Sequence, residues 1–315
     1  MATTPPRRRL DGSDLEIYPL ALGTNPFSWT ADEATSWAVL DAYFDAGGNF
    51  LDTADSYPFW APGNEGGECE TIIGRWIKRR GNRDDMVIAT KVSHHPEFKG
   101  LAPATIRAAV EASLIRLGVD VIDLYYAHFD DPDIPMEESI GTLSGLVDEG
   151  KVRYLGVSNY SADRLEEWVR ITRSGGFHPP IALQQKYSLV DREVEQTTLP
   201  ISRREGWAFL PYYALGLGFL TGKYTSGQTV DSPRAGAASA FLNDKGRRIL
   251  AAMEEVSAAH GVALASVALA WVANRPGVGA AMASARNPEQ LEALIDSASL
   301  TLRKDEMAAL NEASR

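Results

Sequence analysis

Cysteine is almost absent. Cys69 is the only one in 315 residues, so neither a disulfide within the chain nor a cysteine-based zinc site can hold the fold together. A chain of this length buries enough apolar surface to do without such staples. Long hydrophobic runs are missing as well. The longest fall well short of the roughly 20 residues that span a bilayer, and Arg7-Arg8-Arg9 leads into polar Asp11-Gly12-Ser13-Asp14 where a signal peptide would need an apolar core. Positive charge is in deficit: 31 Lys and Arg against 42 Asp and Glu leave a formal net charge of −11. That balance argues against binding nucleic acid or an anionic membrane through a general field, yet it leaves room for a small basic pocket around one phosphate. Among five histidines, the adjacent His94-His95 pair lacks metal-site spacing, so no metal centre is expected. Nor does a G-x-G-x-x-G follow the first apolar strand, which counts against an open-sheet dinucleotide fold. Hydrophobic residues at 44% and charged residues at 23% are ordinary for a globular protein. With no low-complexity linker in view, residues 1–315 are expected to form one domain, in a reducing cytoplasm, acting on a small molecule.

What is present is an alternation. Apolar segments that read as strands recur at 17–23, 50–54, 86–92, 121–128, 152–158, 181–187, 208–214 and 277–283, with helical patterns between them. Ahead of the first, Asp11-Gly12 between two short extended stretches signals a hairpin. Thr30-Ala31-Asp32-Glu33 reads as a capping box for a helix with Trp37, Leu40 and Phe44 on one face and Gly47 at its end. Thr105 reads as the cap of a second helix, with Ile106, Val110, Leu114 and Leu117 on one stripe before Gly118. Ser161 caps a third, bearing Leu165, Trp168 and Val169. Asp244 opens a fourth with Leu250, Met253 and Val256, and the nearly all-apolar 262–272 predicts a buried helix. The stretch 224–240, rich in Gly, Ala and Ser, reads as a long mobile loop. Strands alternating with helices imply parallel pairing and right-handed crossovers. Eight such units predict a closed (β/α)8 TIM barrel with an N-terminal β-hairpin, an open doubly wound sheet being the competing reading.

Chemistry gathers at the strand ends, which in a barrel share one mouth. Asn49-Phe50-Leu51-Asp52-Thr53-Ala54-Asp55-Ser56-Tyr57 puts a carboxylate at the exit of the second strand and a phenol in the loop beyond it. Lys91 sits near the end of the third strand, Met86 to Val92, and His128 closes Asp123-Leu124-Tyr125-Tyr126-Ala127-His128. Lysine and histidine inside apolar runs are costly to bury unless paired. A free phenol titrates near about 10, and a neighbouring ammonium would lower that value. Asp52 would keep Lys91 charged and oriented, and His128 would hydrogen-bond the phenol or a substrate oxygen. The four together suit carbonyl reduction, where hydride reaches carbon and a proton must reach oxygen. Each also has a plain structural reading: Asp52 as a turn residue, Tyr57 as a loop aromatic, Lys91 as a strand-end lysine, His128 as a satisfied core histidine. Their convergence favours chemistry.

These segments resemble the aldo-keto reductase family. The Asn49 to Tyr57 stretch, Ile88-Ala89-Thr90-Lys91, the strand ending in His128, Gly156-Val157-Ser158-Asn159, Gln184-Gln185-Lys186-Tyr187-Ser188 and Gly218-Phe219-Leu220-Thr221-Gly222-Lys223-Tyr224 are similar to its signatures, from about Leu10 to Leu310. The resemblance implies a (β/α)8 barrel that reduces carbonyls with NAD(P)H. It makes Tyr57 the general acid tuned by Asp52, Lys91 and His128. It puts Ser158, Asn159 and Gln184 on the nicotinamide carboxamide and Tyr212 under the ring. Tyr213, Leu215, Gly218 and Lys223 would follow the pyrophosphate, and Gly23, Thr24 and Asn25, with Asp52, would flank the cofactor after the first strand. Ser284-Ala285-Arg286-Asn287-Pro288-Glu289-Gln290 also stands on physics alone: Asn287 as N-cap, Pro288 at the first helical position and Gln290 completing the box, with Arg286 and the helix start attracting a phosphate. This favours NADP(H), with NAD(H) possible. Departures are Gln290 where many members carry a second arginine, Leu294 where an asparagine often meets adenine, and Tyr213-Ala214 for a common Ser-Pro pair.

Trp29, Phe59, Trp60 and Phe129, with Tyr57 and His128, are expected to line the substrate pocket, favouring apolar or aromatic aldehydes and ketones, or the corresponding alcohols in reverse. A long loop that narrows specificity in many relatives is not seen after the last helix, which predicts an open site and broad aldehyde acceptance. Two other functions compete: a cofactor-holding, redox-sensing subunit, and a Schiff-base lyase using Lys91. The complete set of four residues favours turnover over the first, and the segments around Ser158 and Arg286 weigh against the second.

Overall fold

A computed structural model describes residues 5–224 and 235–315. Strands β1 (Arg8–Arg9) and β2 (Glu16–Ile17) form an antiparallel hairpin, as Asp11-Gly12 predicts. Eight further strands follow: β3 (Leu20–Gly23), β4 (Phe50–Asp52), β5 (Val87–Val92), β6 (Ile122–Ala127), β7 (Val152–Ser158), β8 (Pro180–Gln184), β9 (Ala208–Phe209) and β10 (Ala281–Ala283). They pair in parallel in the order β10-β3-β4-β5-β6-β7-β8-β9. The two ends of that order meet through hydrogen bonds from Phe209 N to Gly277 O at 2.8 Å, Gly279 N to Phe209 O at 2.9 Å and Met282 N to Pro211 O at 3.1 Å. The sheet is therefore curled onto itself as a (β/α)8 barrel, and the open-sheet alternative falls.

Side chains of a strand alternate between its faces, and two apolar layers result. Outward-facing Leu20, Leu51, Ile88, Val157, Leu183 and Phe209 join the helices in one cluster. Inward-facing Ala21, Phe50, Val87, Ala89, Leu124 and Ala182 fill the barrel. Leu10, Leu15 and Ile17 of the hairpin join the inner cluster beside Val87, Ile181 and Ala280, closing the amino end of the barrel. Each Leu, Ile, Val or Phe among them contributes about 1.5–3 kcal/mol by leaving water. The interior is filled at that end, so chemistry is confined to the other.

The helices are α1 (Glu33–Asp45), α2 (Glu68–Arg80), α3 (Pro103–Leu117), α4 (Met136–Asp148), α5 (Ala162–Gly175), α6 (Leu199–Glu205), α7 (Ala235–Ser239), α8 (Asp244–His260), α9 (Leu264–Ala273), α10 (Pro288–Ser299) and α11 (Lys304–Ala313). Ser161 caps α5 by accepting from Arg164 N, and Leu165, Trp168 and Val169 are buried. Every residue of α9 from Ala265 to Ala273 is buried, which explains its lack of a polar face. Among the described residues no single helix is long and apolar enough to cross a membrane.

Several local expectations are corrected. The cap of α1 is Asp32, whose side chain accepts from Thr35 N, rather than Thr30. Helix α3 starts two residues before Thr105, with Pro103 supplying the preset first turn. The first predicted strand is split by Pro19, which has no N–H for a ladder, so Ile17 belongs to the hairpin. The seventh ends at Phe209 because Pro211 interrupts it, although Tyr212 N still reaches Gln185 O at 3.0 Å. Of the predicted mobile loop, residues 225–234 lie outside the described residues, Ala235–Ser239 is a short helix and Tyr224 is buried.

Candidate active site

The site is assembled from strand ends. Asp52 is the last residue of β4, Lys91 the last but one of β5, and His128 follows β6. The Lys91 ammonium donates to Asp52 Oδ2 at 2.7 Å and to the Thr53 carbonyl at 2.6 Å. Gln184, at the end of β8, donates from across the barrel to Asp52 Oδ1 at 2.8 Å. Beneath, the Tyr126 ring lies 5.9 Å from the Lys91 nitrogen. Gly156 makes room for that ring, since a Cβ there would overlap it. The β4 loop then folds back: Asp55 N bonds Lys91 O at 3.2 Å, while Gly67 N and Cys69 N bond Tyr57 O at 3.1 and 3.3 Å. This brings the half-buried Tyr57 ring to 5.0 Å from Lys91 Nζ and 5.9 Å from the His128 ring.

Electrostatics departs from the sequence reading in one respect. The Tyr57 phenol is pushed well above its ordinary value, by burial first and by the Asp52 carboxylate second. The Lys91 charge, bound to Asp52 and the Thr53 carbonyl, does not outweigh these. Burial also lowers Lys91, against the opposing pull of Asp52. His128 is held far below the usual imidazole value by burial, then by Lys91 and His94, so it is neutral near pH 7. Its Nδ1 is buried without a hydrogen-bond partner among the described residues.

The other expected residues frame the same mouth. Asn159, in left-handed backbone at φ 61, donates to His128 O and Ser158 Oγ, both at 3.0 Å, and accepts from the Tyr212 hydroxyl. Tyr213 is exposed and packs on Tyr212 with ring centroids 4.9 Å apart. Leu215 precedes three successive left-handed residues, Gly216, Leu217 and Gly218 at φ 55, 59 and 94, and a Cβ on Gly218 would lie 3.5 Å from the Lys223 ammonium. Gly216 N and Gly218 N bond the Tyr213 and Leu215 carbonyls at 2.8 and 3.0 Å, which fixes the turn beside the Lys223 ammonium. Thr24 N and Oγ1 both reach Asp52 O at 3.0 Å, and Ser284 Oγ bonds Asn25 Oδ1 at 2.9 Å. The same serine oxygen would sit 2.7 Å from a Cβ on Gly23, so the β3 exit and the β10 exit are in contact. Asn287 caps α10 by accepting from Gln290 N at 3.0 Å, and Gln290 Oε1 returns to Arg286 N at 3.1 Å. Gln290 is thereby committed to the cap. The half-buried Arg286 has no carboxylate partner among the described residues. Leu294 is buried in the core. Two cations, Lys223 beside the Gly216 to Gly218 turn and Arg286 at the start of α10, suit a phosphorylated cofactor.

The pocket aromatics also meet. Trp60 lies 5.6 Å from Tyr57 and 5.8 Å from Trp29, Phe59 lies 5.6 Å from Trp60, and Phe129 lies 4.6 Å from His128. Residues 19–315 match the model of the aldo/keto reductase family. This chain belongs to the aldo/keto reductase family. It is 31% identical to Protein tas of Escherichia coli strain K12, over 96% of this chain and 95% of that protein. It is 31% identical to the aldo-keto reductase YhdN of Bacillus subtilis, over 96% and 90%, and 32% identical to the norsolorinic acid reductase stcV of Emericella nidulans, over 95% and 78%. Family membership makes the chain a carbonyl-reducing oxidoreductase, in a family that generally uses NAD(P)H.

In this aldo/keto reductase, sequence reading missed three things at the site. Tyr126, two residues before His128, shares its face of β6, and counting in twos from His128 would have found it. Behind the Tyr57 loop sits a buried polar cluster: Glu70 accepts from Thr90 Oγ1 at 2.6 Å and from Arg116 Nε at 2.7 Å, with both Asp55 oxygens unpartnered nearby. Its members come from β5, α2, α3 and the loop, so no local pattern announces it. The third, His94, stands in the aromatic wall: its ring is 6.0 Å from His128 and 4.8 Å from Phe129.

Proposed function

We propose that this aldo/keto reductase reduces aldehydes and ketones to alcohols with NADPH, with Tyr57 giving the proton. The observation that carries the reading is the dry Asp52–Lys91 pair, 0% exposed at the lysine and 3% at the carboxylate, lying 5.0 Å below the Tyr57 ring. When bound, the nicotinamide supplies hydride; the chain has to supply everything else. Ser158, Asn159, Gln184 and Tyr212 would hold the nicotinamide end, with Gly23, Thr24 and Asn25 alongside. Tyr213, Leu215, Gly218 and Lys223 would hold the pyrophosphate, and Ser284 and Arg286 the adenosine phosphate, with Gln290 shaping the helix start. Arg286, which has no carboxylate partner among the described residues, supports NADPH over NADH.

As hydride reaches the carbonyl carbon, negative charge grows on the oxygen. Burial keeps the Tyr57 phenol protonated through neutral pH, so it has a proton to give at that moment. The phenolate left behind faces the Lys91 ammonium, which Asp52 and the Thr53 carbonyl hold in place. Neutral His128 presents an N–H to the same oxygen, which orients the carbonyl before and during transfer. The Schiff-base alternative is disfavoured, because the Lys91 nitrogen is fully buried and already spends its donors on Asp52 and Thr53.

The experiment is Tyr57→Phe, which removes the acid and almost no volume. NADPH consumption with benzaldehyde should fall by about two to four orders of magnitude, with NADPH binding by fluorescence retained. Turnover within a few fold of the parent chain would refute the role of Tyr57.

A further inference from the structure

Five rings at the mouth form a closed circuit. Tyr57 to His128 is 5.9 Å, His128 to His94 6.0 Å, His94 to Phe59 5.7 Å, Phe59 to Trp60 5.6 Å and Trp60 to Tyr57 5.6 Å. His94 is two steps from the phenol through His128 and three through Trp60 and Phe59. It is exposed, whereas His128 is 6% exposed.

The backbone is arranged to put it there. Ser93 holds φ 111, a conformation that costs a residue with a side chain about 1–3 kcal/mol. It is clamped by Phe129 N donating to Ser93 Oγ at 3.0 Å and by Gly100 N donating to Ser93 O at 3.0 Å. The turn separates the two adjacent histidines. His95 goes inward, 4% exposed, and its Nδ1 accepts from Glu97 N at 3.1 Å. His94 goes to the mouth, where its ring nitrogens have no hydrogen-bond partner among the described residues.

We propose that His94 recognises the end of the substrate remote from the carbonyl, and that the site selects aromatic aldehydes and ketones carrying a hydroxyl or carboxylate there. This rests on the carbonyl-reducing reading above. The rest of the circuit offers apolar faces and edges to an aromatic ring, while Tyr57 and His128 are taken up with the carbonyl oxygen. Of the rest of the circuit, the Trp60 indole N–H can only donate, so His94 is the side chain able both to donate and to accept, and to gain charge, at a second oxygen. Burial, then the positive charge of Lys99 on the same loop, lowers its pKa, so near pH 7 it is neutral, with one donor and one acceptor nitrogen. Competing carboxylates are engaged: Asp130 by Arg164 at 2.6 and 2.8 Å, Asp131 by the Leu101 and Asp133 amides, and Asp52 by Lys91. Lys91 is buried and held by Asp52, and His128 is neutral; the exposed Lys99 ammonium on the same loop would add to the attraction for a carboxylate, and it is present in the parent and in both His94 variants. Acidification charges His94 and strengthens its hold on a carboxylate.

The test compares benzaldehyde, 4-hydroxybenzaldehyde and 4-carboxybenzaldehyde with NADPH at pH 6 and pH 8, in the parent chain, His94→Phe and His94→Gln. The readout is the ratio of kcat/KM for each substituted aldehyde to that for benzaldehyde. His94→Phe should lower the carboxylate ratio about tenfold. His94→Gln should keep part of it at pH 8 and lose the rise at pH 6. Ratios that are the same in all three proteins would overturn the proposal. In parallel, quenching of tryptophan fluorescence by 4-carboxybenzaldehyde and benzaldehyde reads the same preference in binding. If no aldehyde is turned over, the reductase reading fails. The binding ratio, changed by His94→Phe or unchanged, still decides the role of His94.

Discussion

Removing either half of the Asp52–Lys91 pair should cost more than removing both. The two groups are 2.7 Å apart and almost wholly out of water. In Asp52→Leu the ammonium keeps only the Thr53 carbonyl at 2.6 Å. In Lys91→Met the carboxylate keeps the Gln184 amide at 2.8 Å as its one side-chain hydrogen bond among the described residues. One hydrogen bond does not replace a counter-charge in a dry site, and breaking such a pair from one side costs about 3–5 kcal/mol. The double variant has no charge to strand. Its residual cost is the Gln184 amide left without an acceptor and the Thr53 carbonyl left without a donor, about 1–3 kcal/mol each, and Lys91→Met bears the second of these as well. Folding free energies from urea titrations of the parent, both singles and the double close a cycle, with a coupling of several kcal/mol expected. The pH dependence has a sign. Lys91 is already lowered by burial, and Asp52 is the group that raises it. Without Asp52 the folded chain sheds that proton sooner, so it binds fewer protons than the unfolded chain up to the ordinary lysine value of 10.5. Stability therefore rises with pH across that window, and the deficit of Asp52→Leu should shrink from pH 6 to pH 9. If the double variant loses the sum of the singles to within about 0.5 kcal/mol, the pair is not what organises the site.

Two further outcomes follow from single residues. Arg286→Ala should weaken NADPH binding about tenfold to a hundredfold, with NADH much less affected, because only the former presents a phosphate to a guanidinium; equal losses for both cofactors would overturn that assignment. Asp55→Asn should stabilise the chain increasingly as pH rises. Asp55 is fully buried with both oxygens unpartnered, and burial, then Glu70, raises its pKa well above 3.8. A folded value above the unfolded one gives stability that is complete below about pH 4 and lost as pH climbs through the folded value. The Tm difference between Asp55→Asn and the parent should therefore be larger at pH 8 than at pH 5; a constant difference would sink the argument.

The alternation of eight apolar segments with helical stripes was enough to predict a barrel, because period and punctuation act over a few residues. Ser161 and Asn287 were legible as caps for the same reason, and Asp52, Lys91 and His128 because polar residues at the ends of apolar runs stand out. Thr30 and Thr105 misled because several residues in a row can cap, and only the chain's path into α1 and α3 chooses among them. Three matters rested on tertiary structure alone. The phenol of Tyr57 was expected to be lowered by Lys91 and is instead raised, since desolvation depends on how completely the barrel and its loops close around a group. His94 and His95 are indistinguishable as letters, yet one is exposed in an aromatic circuit and the other buried against Glu97 N, a division made by the clamp on Ser93. The Asp55, Glu70 and Arg116 cluster draws on elements far apart in the chain. Spacing along a sequence specifies which face of a strand or helix a side chain takes; what it then meets, and how much water is left beside it, is set by neighbours that the fold brings in from elsewhere.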